Sequence, residues 1–128
     1  MYDIELPLFV EITKKKKFYL NLNQYRNAHY HTLNKAKGLF SGHVKPLIGH
    51  LPSLQRVGIL YTLYVPDERD RDVGNVCSIV DKFFCDCLVE NNILIDDNFR
   101  ILPDVGYTFG GISKPGKVIA SIVPLKPL

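Results

Sequence analysis

A chain of 128 residues is long enough for one domain with a sizeable core and too short for two ordinary ones. With 46% hydrophobic and 23% charged residues and no long biased tract, the composition excludes a disordered chain. The net charge of +3 is unevenly spread: residues 1–66 hold nine Lys/Arg and three Asp/Glu, whereas residues 67–128 hold seven and ten.

A basic half followed by an acid-bearing half suits a protein that grips a polyanion with one part and holds cations with the other. The longest apolar run, Gly58 to Val65, is far short of the roughly 18 to 20 residues of a membrane helix, so no membrane partner is expected. Asp3 and Glu5 occupy the start of the chain, and no basic segment there leads into an apolar one. A cytoplasmic protein without a secretory signal is the expectation.

Residues 2–12 alternate apolar and polar well enough for a strand, which Pro7 confines to an edge or a bulge. Lys14, Lys15, Lys16 and Lys17 follow, a run of like charge that repels itself and favours a solvent-facing loop able to meet phosphates. From Gln24 to His50, apolar residues recur at three- and four-residue intervals, as in one amphipathic helix or two short ones. All four histidines, His29, His31, His43 and His50, lie here. His29 and His31 point different ways on a helix, so surface or packing roles are expected of them and not metal ligation.

Gly58 to Val65, rich in β-branched and aromatic residues and closed by Pro66, is the strongest strand and is expected to lie centrally. The charged run Asp67 to Asp72 comes next. The second helix spans Asn75 to Glu90, where Val76, Ile79, Val80, Phe83, Phe84, Cys87 and Leu88 keep the helical period. Cys77, Cys85 and Cys87 have no zinc-type spacing and read as free thiols of a reducing compartment. Beyond the helix, Ile93 to Ile95 reads as a short extended piece and Asp96 to Asn98 as a turn. Short strands at 99–102 and 105–109, a flexible loop from Gly110 to Gly116 and a last strand at 117–123 complete the chain. The order predicts a single α+β (mixed α/β) domain over 1–128, with two main helices packed on a small mixed sheet.

Two acid pairs flank the second helix: Asp70 and Asp72 before it, Asp96 and Asp97 after it. Brought together, such carboxylates repel one another unless protonated or bridged by a cation, and a hard cation such as Mg²⁺ takes oxygen ligands and substrate phosphates. A helix of about 16 residues is on the order of 24 Å long, however, and the about five residues after it cover roughly 17 Å. The pairs therefore meet only if the helix is short or crosses the strand obliquely. On the same helix Asn75, Lys82 and Asp86 fall within about 40° of one another, beside the apolar stripe. A lysine there can hold a phosphate or stabilise charge developing on it.

The segment Val-Pro-Asp-Glu-Arg-Asp-Arg-Asp-Val-Gly-Asn at 65–75, the helix bearing Asp81-Lys82-Phe83-Phe84 and Asp86, and Ile95-Asp96-Asp97-Asn98-Phe99-Arg100-Ile101 resemble the core of RusA-like Holliday junction resolvases. The resemblance implies a homodimeric endodeoxyribonuclease that uses Mg²⁺, or Mn²⁺, to cut four-way DNA junctions in paired nicks, in a bacterial or phage-infected cell. It assigns catalytic roles to Asp72, Asn75, Lys82 and Asp97, and metal ligation to Asp72, Asp96 and Asp97, to which the spacing of Asp70 from Asp72 adds Asp70 as a further ligand. The DNA-contacting residues would be Lys14 to Lys17, Arg69 and Arg71. Two departures stand out. Gly74 occupies the place of the second motif aspartate, which Asp70 can replace two residues before Asp72, and an impaired homologue that binds junctions without cutting them is the alternative. Lys82 follows Asn75 by seven residues where the family has about three, a shift of nearly one turn, or about 6 Å along the axis.

Overall fold

The computed structural model describes all residues from Met1 to Leu128. Strand β1 (Tyr2–Leu6) is followed by a hairpin of β2 (Phe9–Thr13) and β3 (Lys16–Tyr19). Helices α1 (Leu22–Asn27) and α2 (Tyr30–Ile48) come next, then β4 (Val57–Val65), α3 (Val73–Glu90), β5 (Asp104–Ile112) and β6 (Lys117–Pro124). The main sheet has the order β1-β6-β4-β5, with β4 and β5 parallel and the other neighbours antiparallel. This is the expected α+β domain with β4 inside the sheet and two main helices, α2 and α3, to which the six-residue α1 is added.

The strand expected over 2–12 is two strands, because Pro7 has no N–H for a ladder and the chain leaves β1 there to start the hairpin. Lys14 and Lys15 form the hairpin turn while Lys16 and Lys17 begin β3, so only half of the lysine run is loop, although all four side chains are exposed. The 24–50 segment divides at Ala28–His29, where the His29 Nδ1 accepts the His31 N–H at 3.3 Å and caps α2. Ile93 to Ile95 and residues 99–102 are turns and not strands, since Leu88 O accepts the N–H groups of Ile93 and Leu94, and Asn98 O those of Ile101 and Leu102. The expected loop at Gly110 starts later, because β5 runs on to Ile112 through an irregularity opposite Leu63/Tyr64. Gly110 is needed there: a Cβ would lie 2.6 Å from the Tyr64 ring.

On β4, Val57, Ile59, Tyr61, Leu63 and Val65 are all buried and Leu60, between them, is exposed, so the helices cover one face of the sheet. Ala36, Phe40, Val44 and Ile48 of α2 and Ile79, Val80, Phe83, Phe84 and Leu88 of α3 complete a single core of 30 buried residues. The buried cysteines are free thiols. No helix is long and apolar enough to cross a membrane.

Candidate active site

The loop from β4 to α3 is organised by one carboxylate. Asp67 Oδ1 accepts the Arg69 N–H at 3.0 Å, the Arg69 Nε–H at 3.3 Å and an Arg71 Nη1–H at 2.8 Å. Those bonds, Arg71's first, hold the Asp67 carboxyl well below the usual carboxylate range. The Arg71 guanidinium also donates to the carbonyls of Asp67 and Arg69. Arg71 is thus a clamp on its own loop, its side chain 22% exposed, while Arg69, held to Asp67 through its Nε–H, stays 80% exposed.

That clamp presents Asp70 and Asp72 to solvent at the start of α3. Asp72 is the N-cap residue, yet its side chain makes no capping bond and instead accepts from Asn75 Nδ2 at 3.1 Å. The first N–H groups of α3 therefore lack a side-chain partner, and the helix dipole adds positive potential beside the two carboxylates. Asp70, Arg71, Asp72, Asn75 and Val76 form one wall of an open cleft of about 710 Å³, and Asn21 and Asn23 at the start of α1 form the other. Asn23 also lines a second cleft with Lys16, Lys17 and Asn27, so the lysine hairpin adjoins the acidic one. Lys82 lies about 10 Å beyond Asn75 along α3. Its Nζ is 5.9 Å from the centre of the Tyr25 ring of α1, a cation–π distance.

The second acid pair is elsewhere. Asp96 accepts the Asp97 N–H at 2.8 Å and Asn98 Nδ2 at 3.0 Å, which closes a tight turn. The turn is tied to the start of β4 by Leu54 N to Ile93 O and Val57 N to Ile101 O, both 2.8 Å. Asp97 has its pKa raised, by partial burial first and then by the negative charges of Asp96 and Asp86. Asp86 belongs to the far end of α3, about 21 Å along the axis from Asp72. Within one chain, Asp70 and Asp72 thus sit at the end of β4 and Asp96 and Asp97 at its beginning. The expected meeting of four carboxylates does not occur in the single chain, because α3 is a full 18 residues and packs along β4. No group of three or more His, Cys, Asp or Glu side chains is placed to hold a metal ion.

A constellation that the sequence did not announce lies midway along α3. Asp81 Oδ1 accepts the Tyr61 hydroxyl at 2.6 Å and the Cys85 thiol at 3.2 Å, and Oδ2 accepts the Tyr107 hydroxyl at 3.5 Å. Burial raises the Tyr61 hydroxyl well above its usual pKa and pushes Tyr107 up to about 12, with Asp81 adding to both. The one signal in the sequence was an aspartate one turn from Cys77 and Cys85, at the margin of the apolar stripe. Comparison with known family profiles and with curated proteins finds no match to this chain.

Proposed function

We propose that this chain is a divalent-metal-dependent endodeoxyribonuclease that acts on branched DNA such as the four-way junction, and that it works as a homodimer. The observation that carries this reading is the open cleft at the start of α3, where Asp70 and Asp72 stand beside Asn75 and next to the lysine hairpin. The resemblance of residues 65–101 to RusA-like resolvases points the same way.

The residues fit a hard cation. Asp70 has no partner, and Asp72 keeps one carboxylate oxygen free of its bond to Asn75. Mg²⁺ is commonly held by one or two carboxylates, several waters and substrate phosphates. Bound there, it supplies Lewis acidity to a phosphodiester and lowers the pKa of a water. Asn75 fixes the Asp72 rotamer, and Lys14 to Lys17 with Arg69 hold backbone phosphates, which position the duplex without reading its sequence. Lys82, its Nζ 5.9 Å from the Tyr25 ring centre, does not line the cleft and offers its charge to a phosphate further along α3. Arg71, engaged by Asp67, shapes the loop and contributes little to DNA contact.

The distance between the two acid pairs favours a second reading, a homologue that binds junctions and does not cut them. One assay separates the two: a labelled four-way junction with Mg²⁺ gives paired nicks in the first case and only a retarded band in the second.

A further inference from the structure

Between Glu11 and Asp67 the chain has no Asp or Glu, whereas nine Lys/Arg and all four histidines lie there. No ion pair engages any of the nine, so the hairpin and the first two helices carry an uncompensated positive field. Within that region a cleft of about 230 Å³ opens between β3 and the junction of α1 with α2, lined by Lys16, Lys17, Asn23, Gln24, Asn27 and His29. Pockets for small organic ligands start at about 300 Å³, so the cleft takes a group no larger than one nucleotide. Its amides are only partly used. Asn27 Nδ2 donates to the backbone O of Asn23 at 3.0 Å and to Asn23 Oδ1 at 2.9 Å. That leaves Asn27 Oδ1 as an acceptor and Asn23 Nδ2 as a donor, one helical turn apart.

Beside the cleft stand three rings from consecutive residues. Neighbouring side chains on a helix point about 100° apart. His29, Tyr30 and His31 gather nonetheless, because His29 is the extended N-cap residue of α2 and its Nδ1 is held by the His31 N–H. Their ring centres are 4.0 to 5.1 Å apart and their planes within 34° of parallel. All three residues are exposed, Tyr30 at 62%. Solvent-facing rings in a positive field suit an unpaired strand, since every base has a π-face and every linkage a negative charge. A continuous duplex hides both faces of each base in its stack.

We infer that the cleft and the ring platform form a subsite for one unpaired nucleotide of single-stranded DNA. Its base stacks on Tyr30 and the two imidazoles, its edge meets the free donor of Asn23 and the free acceptor of Asn27, and Lys16 and Lys17 neutralise the flanking phosphates. The inference rests on the endonuclease reading for its polymer, and it adds what the acidic cleft lacks, a means of telling branched from continuous DNA. Asn23 lines both clefts, so a strand held here runs on toward Asp70 and Asp72. Where the stack is interrupted at a branch point, a base is free to enter. Inside a duplex the same base must first be unpaired and unstacked, which disfavours binding there.

Binding without metal tests the subsite apart from cleavage. In EDTA at low salt, fluorescence anisotropy of the full chain should show a labelled oligo(dT) of about 15 nucleotides bound more tightly than an abasic strand of equal charge. It should bind at least as tightly as oligo(rU) of the same length. Tyr30→Ala should weaken oligo(dT) binding by about 5- to 150-fold, the range for loss of one base stack, and leave the abasic strand and a duplex unchanged. Tyr30→Phe keeps the ring and should bind as wild type does. Because Tyr30 is exposed, both variants should keep the wild-type far-UV circular dichroism spectrum. Equal affinity of the wild type for oligo(dT) and the abasic strand, a clear preference for oligo(rU), undiminished binding by Tyr30→Ala, or an equal loss on the duplex would each overturn the assignment. Nicking of a four-way junction in Mg²⁺ alongside any of those results would leave the endonuclease reading standing, whereas ring-dependent binding without nicking would leave only the subsite.

Discussion

The Tyr61 hydroxyl donates to the Asp81 carboxylate at 2.6 Å across the interface between β4 and α3, with the tyrosine fully buried. An acceptor that close satisfies a polar group that would otherwise be left unpaired in the core. Replacing Asp81 by Leu should therefore cost more than replacing Tyr61 by Phe. We expect a loss of about 1–3 kcal/mol for Asp81→Leu, the usual cost of a buried unsatisfied donor, and about 1 kcal/mol for Tyr61→Phe. Urea titrations of the two variants and of the double variant measure this. The double variant should lose less than the sum, since the residues form one unit. Strict additivity would mean that the bond contributes nothing.

Two other carboxylates shift in opposite directions and should leave opposite marks on stability against pH. Asp97 has a raised pKa, so the folded state binds its proton more tightly than the unfolded chain does. Its favourable contribution is complete below the unfolded value and is lost as pH rises through the folded one. Asp97→Asn should thus raise Tm relative to wild type at neutral pH, and the difference should vanish near pH 3. Asp67 has a lowered pKa, and its contribution is present above the unfolded value and lost as pH falls through the folded one. Asp67→Asn should lower Tm at neutral pH and converge on wild type in acid. Thermal melts of the three proteins across pH decide both signs.

The three cysteines offer a further check on the packing of α3. Burial pushes Cys77 and Cys87 up to about 11 and Cys85 higher still. The thiolate is the reactive form, so native protein at pH 7.5 should react with a disulfide reagent far more slowly than the urea-unfolded chain, which should release three equivalents. Rapid native labelling would show that α3 leaves the sheet readily.

Those thiols also illustrate what the sequence made legible. The period of Val76, Ile79, Val80, Phe83, Phe84 and Leu88 identified α3, and the dense β-branched and aromatic run identified β4, because both signals are local and core packing reinforces them. The end of β5 was hidden by its own chemistry. Gly110 and Gly111 read as loop, whereas Gly110 lets an edge strand pass Tyr64 where a Cβ would lie 2.6 Å from the ring, and Gly111 adopts a φ of +137°. The acid pairs are legible as residues, and the expectation that they share one metal site goes beyond what the sequence can fix, since their separation depends on the length and direction of α3 relative to β4. The bonds of Asp81 are not legible in the sequence, because its partners, Tyr61 and Tyr107, lie 20 and 26 residues away.

The lysine hairpin should govern affinity more than chemistry. If Lys14 to Lys17 bind phosphates, replacing Lys16 and Lys17 with Ala should weaken junction binding uniformly across sequences. It should also reduce the slope of log affinity against log salt by about 0.9 for each phosphate that is no longer neutralised. Fluorescence anisotropy at several salt concentrations reads the slope. An unchanged slope would place the DNA elsewhere.

Removal of one carboxylate tests the cleft at the start of α3. Asp72→Asn should still retard a labelled four-way junction, because removing a negative charge does not weaken phosphate contacts, and should lose Mg²⁺-dependent nicking if Asp72 holds the cation. Nicking equal to that of wild type would rule out Asp72 as a ligand.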